Sequence, residues 1–278
     1  MQNYLKTTIV AKVVMAITGI ILIGFLFGHA LGNLQFLLGT NAYNSYAELL
    51  QSNKELLWIL RISLIVCVVL HIISAVYLRL YNNAAKPIKY QVKNYLTVKL
   101  TARTMLWTGL LIVVGLTYHL LHFTTGDISF ENGYDNYEIV STGDFAVVTN
   151  EKTCTCKKTC TCEKTCTCEK TCCNDSKKDC SKTNSISTVV KERHDVHTMV
   201  SSEFNNPFVA ISYIIFVALV GFHLNHAIQS AFQTIGIQGP KLSPFLRKLS
   251  VILSIVLVLL FITLPITVML GLAAGGCC

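Results

Sequence analysis

Six of the eight histidines in this chain stand inside long apolar stretches: His29, His71, His119, His122, His223 and His226. An imidazole at membrane depth is costly unless it has a partner or a task. A lone one is often a packing or hydrogen-bonding residue, but here four separate stretches each offer at least one. Neutral imidazoles ligate zinc, copper, nickel and iron. A site for transported metal would usually add carboxylates, and none of the five apolar stretches contains Asp or Glu. Imidazoles without carboxylates suit haem iron, which takes an axial histidine on each face.

Such ligands need helices that cross a bilayer. The chain of 278 residues is 52% hydrophobic and only 14% charged, well below the roughly 25% charge of a soluble domain. Apolar runs long enough to span, about 20 residues each, cover approximately Val13 to Phe36, Trp58 to Leu80, Thr104 to Phe123, Pro207 to Gln233 and Leu249 to Leu272. The first is too long for the apolar core of a secretory signal and reads as a retained helix. Asn206 and Pro207 are suited to the start of the fourth, and Pro265 is expected to kink the fifth. The sequence therefore predicts an all-α integral membrane protein with five transmembrane helices in a haem-binding bundle. Three parts follow: helices one to three in 1–123, a long outer loop in 124–206, and helices four and five in 207–278. The net charge of +8 flanks the spans and is no nucleic-acid signal. Counted over short loops, eleven Lys and Arg residues lie on the side of the N-terminus and two on the other. The N-terminus is thus expected on the cytoplasmic side of a bacterial inner membrane, with the protein in contact with lipid.

Depth then sorts the histidines. At about 1.5 Å per residue, His29 lies roughly 26 Å beyond Lys12 and His119 roughly 24 Å beyond Arg103, both towards the outer face. His71 lies roughly 12 Å before Arg79, and His223 roughly 15 Å before the inner end of its helix. An outer pair, His29 with His119, and an inner pair, His71 with His223, would hold two stacked haems. His122 and His226 follow His119 and His223 by three residues and share their helix faces, so depth alone does not exclude them; the earlier member of each pair is the assignment carried forward. Gly24, Gly28, Gly115 and Cys67 precede these ligands and offer room for a porphyrin, although small residues also serve ordinary helix packing.

Nine of the twelve cysteines crowd between Cys154 and Cys180, mostly in a six-residue repeat from Glu151 to Asn174. It is polar, without an apolar face, and is expected to lack ordered structure. Cys-X-Cys spacing suits soft metals, which supports an alternative function as a membrane metal-handling protein. The plainer reading is an expanded repeat oxidised on the outer side.

The stretches KVVMAITGIILIGFLFGHALGNLQ, ARTMLWTGLLIVVGLTYHLLHFT, FNNPF and GFHLNHAIQSAFQTIG resemble the single-chain, five-helix, dihaem cytochrome b anchor subunit of succinate:quinone oxidoreductase, the form found in Bacteroidetes. The resemblance covers nearly the whole chain outside the cysteine repeat, with Ala227 standing where the family pattern suggests glycine. It implies two haem b groups ligated by His29, His71, His119 and His223. It also implies electron transfer between an iron–sulfur subunit and a quinone, probed first as menaquinone, with succinate or fumarate chemistry on a partner flavoprotein. Arg79 and Arg103 are candidate partners of the inner haem propionates, and the basic loop between them is a candidate docking surface. Those charges also serve as plain topology signals. A quinone carbonyl needs a hydrogen-bond donor or a proton-exchanging group. The nearest acid to the outer pair in this reading is Glu48, which otherwise is a solvated carboxylate on an interfacial helix.

Overall fold

A computed structural model describes residues 8–85, 103–129, 137–141, 146–149, 152–155 and 190–272. Five helices are long and apolar enough to cross a membrane. α1 (Thr8–Asn33) continues through a 3₁₀ turn (Leu34–Leu38) into a short helix, α2 (Thr40–Ser52). α3 (Lys54–Ala84) follows, and α4 (Met105–His119) ends in a π turn, Leu120–Thr124. A second short helix, α5 (Val196–Asn205), leads into α6 (Pro207–Thr234), and α7 (Leu242–Met269) completes the bundle.

The helices run longer than the apolar core of each span. α7 begins seven residues before Leu249, carrying exposed Arg247 and Lys248 beside buried Leu246. A basic turn at the end of an apolar helix can reach the polar boundary while its apolar side stays packed. Asn206 caps α6 as its type predicts: its side chain accepts from the Phe208 N–H at 3.0 Å, with Pro207 in the first turn.

α1 packs against α3, α6 and α7, while α4 packs on α6 and α6 on α7. Lipid supplies no hydrophobic drive for helices to associate, so close backbone approach matters. Gly221 supplies one such approach, since a Cβ there would collide with Val258 of α7; Gly115 supplies another, against Phe216 of α6. Gly115 thus serves helix packing. Gly24 and Gly28 face open space, and Gly24 lines an apolar cleft of about 400 Å³ between α1, α6 and α7.

α2 and α5 close one end of the bundle, called here the capped end. The chain turns into α2 through Gly39, whose φ of 99° lies in the left-handed region that favours glycine. Asp195 caps α5, accepting from the Thr198 N–H at 3.0 Å and hydroxyl at 2.6 Å, and it also accepts from the Asn44 amide at 2.8 Å. Asn44 in turn accepts from the His197 N–H at 2.9 Å, and Arg193 donates to Asn41 and Ser45. Burial alone would raise the Asp195 carboxyl, but the bonds from Thr198 and Asn44, with His197 nearby, hold it below its ordinary range. An apolar cluster that includes Phe36, Tyr43, Phe204 and Tyr213 lies beneath this polar clamp.

Residues 124–206 were expected to form one long loop, and its end is instead folded. β1 (Tyr137–Ser141) pairs antiparallel with β4 (Val190–His194), which leads directly into α5. β2 (Ala146–Thr149) pairs with β3 (Lys152–Thr155). Lys152 to Thr155 of the cysteine repeat therefore have strand partners, and the backbone of a polar Thr-rich segment can satisfy itself by hairpin pairing. The repeat from 156 to 174 lies outside the described residues, as do Lys86, Lys89, Lys93, Lys99, Cys277 and Cys278.

Candidate functional site: two layers of histidine

α1 and α4 bring His29 and His119 together, with ring centres 6.0 Å apart and planes at 75°. An imidazole nitrogen sits about 2 Å from the transition metal it ligates, so two imidazoles sharing one ion have ring centres roughly 6 Å apart. The spacing fits that demand. Aromatic rings wall the pair: Phe25 and Phe261 around His29, Phe123 and Tyr213 around His119. His119 Nδ1 is buried without a hydrogen-bond partner, and a buried polar atom left in that condition costs roughly 1–3 kcal/mol. The His29 ring has one contact at the limit of a hydrogen bond, Nε2 to the Asn33 amide at 3.5 Å.

His122 differs from its neighbour. Its Nδ1 meets the Tyr213 hydroxyl at 3.0 Å and its Nε2 meets the Glu203 carboxylate at 2.9 Å, with both side chains buried. The second Glu203 oxygen accepts from the Ser129 hydroxyl. Both ring nitrogens of His122 are engaged, whereas His119 keeps one without a partner. The geometry therefore separates two histidines that depth left open.

The second layer lies deeper in the bundle, on α3 and α6. His71 Nδ1 is 3.2 Å from the Thr18 hydroxyl of α1, and His223 Nδ1 is 3.1 Å from the Thr108 hydroxyl of α4. Both threonines are buried. The two histidines interact electrostatically with each other, and His226 joins them. Gly19 lies against the edge of the His71 ring and Gly109 against that of His223.

Among the described residues, no group of three or more His, Cys, Asp or Glu side chains could hold a metal ion. Two histidines per layer are instead the donor number that an axially ligated haem requires. The donor chemistry, the 6.0 Å spacing and the orphaned nitrogen of His119 all fit that group.

Glu48 is half-buried on α2. An acid connected to the His29–His119 pair is Glu203, which reaches the ring of His119 through His122 and Tyr213. Sequence reading missed it because it stands 81 residues from its partner in a stretch taken as loop. The signal was a short amphipathic run just before Asn206. Thr18 and Thr108 were missed too. Arg79 and Arg103 are both exposed, Arg103 immediately ahead of α4.

Scans of the chain against protein-family models, curated proteins and solved structures each return no match. Among the described residues the chain thus combines five helices long and apolar enough to cross a membrane with two layers of histidine carried on them.

Proposed function

We propose that this chain is a dihaem cytochrome b membrane anchor, carrying electrons between the iron–sulfur subunit of a succinate:quinone oxidoreductase and a quinone such as menaquinone. The observation that carries the reading is the His29–His119 pair, two imidazoles from different helices at ligand spacing with a buried nitrogen lacking a partner. His29 and His119 would hold one haem b and His71 with His223 the other. Haem, when bound, supplies reversible one-electron chemistry at the iron.

The protein's own contribution is position and a dry environment. α1 and α4 each carry one outer histidine, and α3 and α6 each carry one inner histidine. The layers thus lie one above the other along the membrane normal, as a path for electrons across the bilayer requires. Aromatic rings around the outer pair exclude water. The basic segment between Arg79 and Arg103 supplies the cytoplasmic docking surface for the soluble subunits, and the capped end faces outward.

A reduced-minus-oxidised spectrum of the purified full chain tests this. A b-type band at two haems per chain is expected; a chain that purifies folded with no such band overturns the proposal.

A further inference from the structure

Aligning α1 and α4 on their histidines exposes a repeat. Residues 18–29 read TGIILIGFLFGH and residues 108–119 read TGLLIVVGLTYH. Each is Thr-Gly followed by nine residues and His. Eleven residues make just over three full turns of α-helix, a rise of about 16 Å. Thr and His therefore share one face, separated by about the spacing of the two layers. Each of these two helices places its histidine in one layer and its threonine in the other.

The threonines fix which inner nitrogen carries hydrogen. A hydroxyl has one hydrogen to give. Thr18 gives its own to the Val14 carbonyl at 2.8 Å, and Thr108 gives its own to the Met105 carbonyl at 3.1 Å. What each hydroxyl has left to offer an imidazole is a lone pair. With that hydrogen engaged by the backbone, the facing nitrogen, Nδ1 of His71 and Nδ1 of His223, is placed to donate. Nε2 of both rings is left with its lone pair for a metal. A ligating histidine held through its other N–H is both oriented and made more basic by that partner.

We infer that Thr18 and Thr108 are matched positioning residues that select the Nε2-ligating tautomer of His71 and His223 and set the redox potential of that layer apart from the other. Among the described residues no hydroxyl meets a ring nitrogen of His29 or His119 in this way. The inference rests on the dihaem reading for its redox half, while the tautomer half concerns this chain alone.

Two measurements test it. In haem-free full-length protein, ¹⁵N NMR of the histidine side chains should show His71 and His223 as Nδ1–H tautomers. Thr18→Val should release His71 alone, and Thr18→Ser should restore it. Wild-type protein with either ring as the Nε2–H tautomer overturns the inference whatever the haem content. In haem-loaded protein, a potentiometric titration should resolve two components. Thr18→Val and Thr108→Val should each raise the same component, the one His71→Leu removes. A loss of about tenfold in ferric preference, the low end for an outer-shell partner, is about 59 mV for one electron. If Thr18→Val assembles poorly, Thr108→Val alone must give the shift and Thr108→Ser must abolish it. Two unmoved components overturn the inference, whereas absence of any b-type band in wild type overturns the dihaem reading and leaves the NMR result standing.

Discussion

Removing the Glu203 carboxylate should loosen the capped end of the bundle by an amount that can be worked from its contacts. Glu203 is 1% exposed and bonds both His122 Nε2, at 2.9 Å, and the Ser129 hydroxyl. Glu203→Ala leaves the buried His122 ring and the half-buried Ser129 hydroxyl without this acceptor, and each hydrogen bond to a charged group contributes roughly 1.5–3 kcal/mol. Two such bonds put the loss at about 4 kcal/mol. That is roughly a thousandfold rise in the opening equilibrium of α5. Hydrogen exchange at the Met199 to Phe204 amides, in detergent or nanodiscs, reads it directly. The companion variant is Glu203→Leu with His122→Leu, which replaces both polar groups by apolar ones of similar reach. Because the desolvation penalty disappears with the pair, that double change should cost less than the sum of the single changes, by about 0.5–3 kcal/mol. Strict additivity, or a cost below about 1 kcal/mol for Glu203→Ala, would show that water already solvates the carboxylate and would refute the argument.

Two further outcomes follow from the same structure. On the dihaem proposal, His71→Leu should remove one haem and leave the spectrum of the other, since the His29–His119 pair stands on different helices; retention of both haems would refute the assignment of His71. Tyr43, buried on α2, has its phenol pushed up to about 12, by burial first and then by Tyr46. A raised folded value means that the neutral phenol stabilises the fold below the unfolded value of about 10. That contribution is lost as pH climbs from about 10 through about 12. Tyr43→Phe should flatten the alkaline fall in thermal stability over that window, and an unchanged fall would assign it to other groups.

Much of this arrangement is legible in the sequence because a membrane helix obeys two simple constraints. It must be apolar for about 20 residues, and it rises by a fixed step. Those rules alone pair His29 with His119, and the rings do lie 6.0 Å apart. They cannot find α5, a ten-residue helix too short to be read as a span. Nor can they find Glu203, whose partner is 81 residues away; lateral contacts between distant segments leave no periodicity to read. The choice between His119 and His122 was hidden for a related reason. Three residues apart on one helix, they have the same depth and nearly the same face, and only Glu203 and Tyr213, arriving from other elements, distinguish them. The threonines were within reach of the sequence, since a spacing of eleven recurs in two helices. They stay invisible until one asks what holds the second nitrogen of each imidazole.

The two ends of the bundle are built by different means, and the difference follows from solvent. At the inner layer each imidazole is fixed by a hydroxyl from the neighbouring helix, and that hydroxyl is fixed by its own helix backbone. This device needs no loop and no charge, so it can operate at membrane depth, where an ionised partner would be costly. The outer layer lies near the capped end, where segments outside the spans can reach it. There a carboxylate is affordable, because Glu203 arrives on α5 already supplied with Ser129 and His122. The carboxylate acts one residue removed from the pair, on His122 and Tyr213, and leaves His119 Nδ1 without a partner. A single inserted residue between Thr18 and His29 would turn one about 100° from the other, so neither layer could be kept without losing its alignment with the second. The spacing of eleven in both helices is therefore a constraint on the pair of layers together, set by the pitch of the helix.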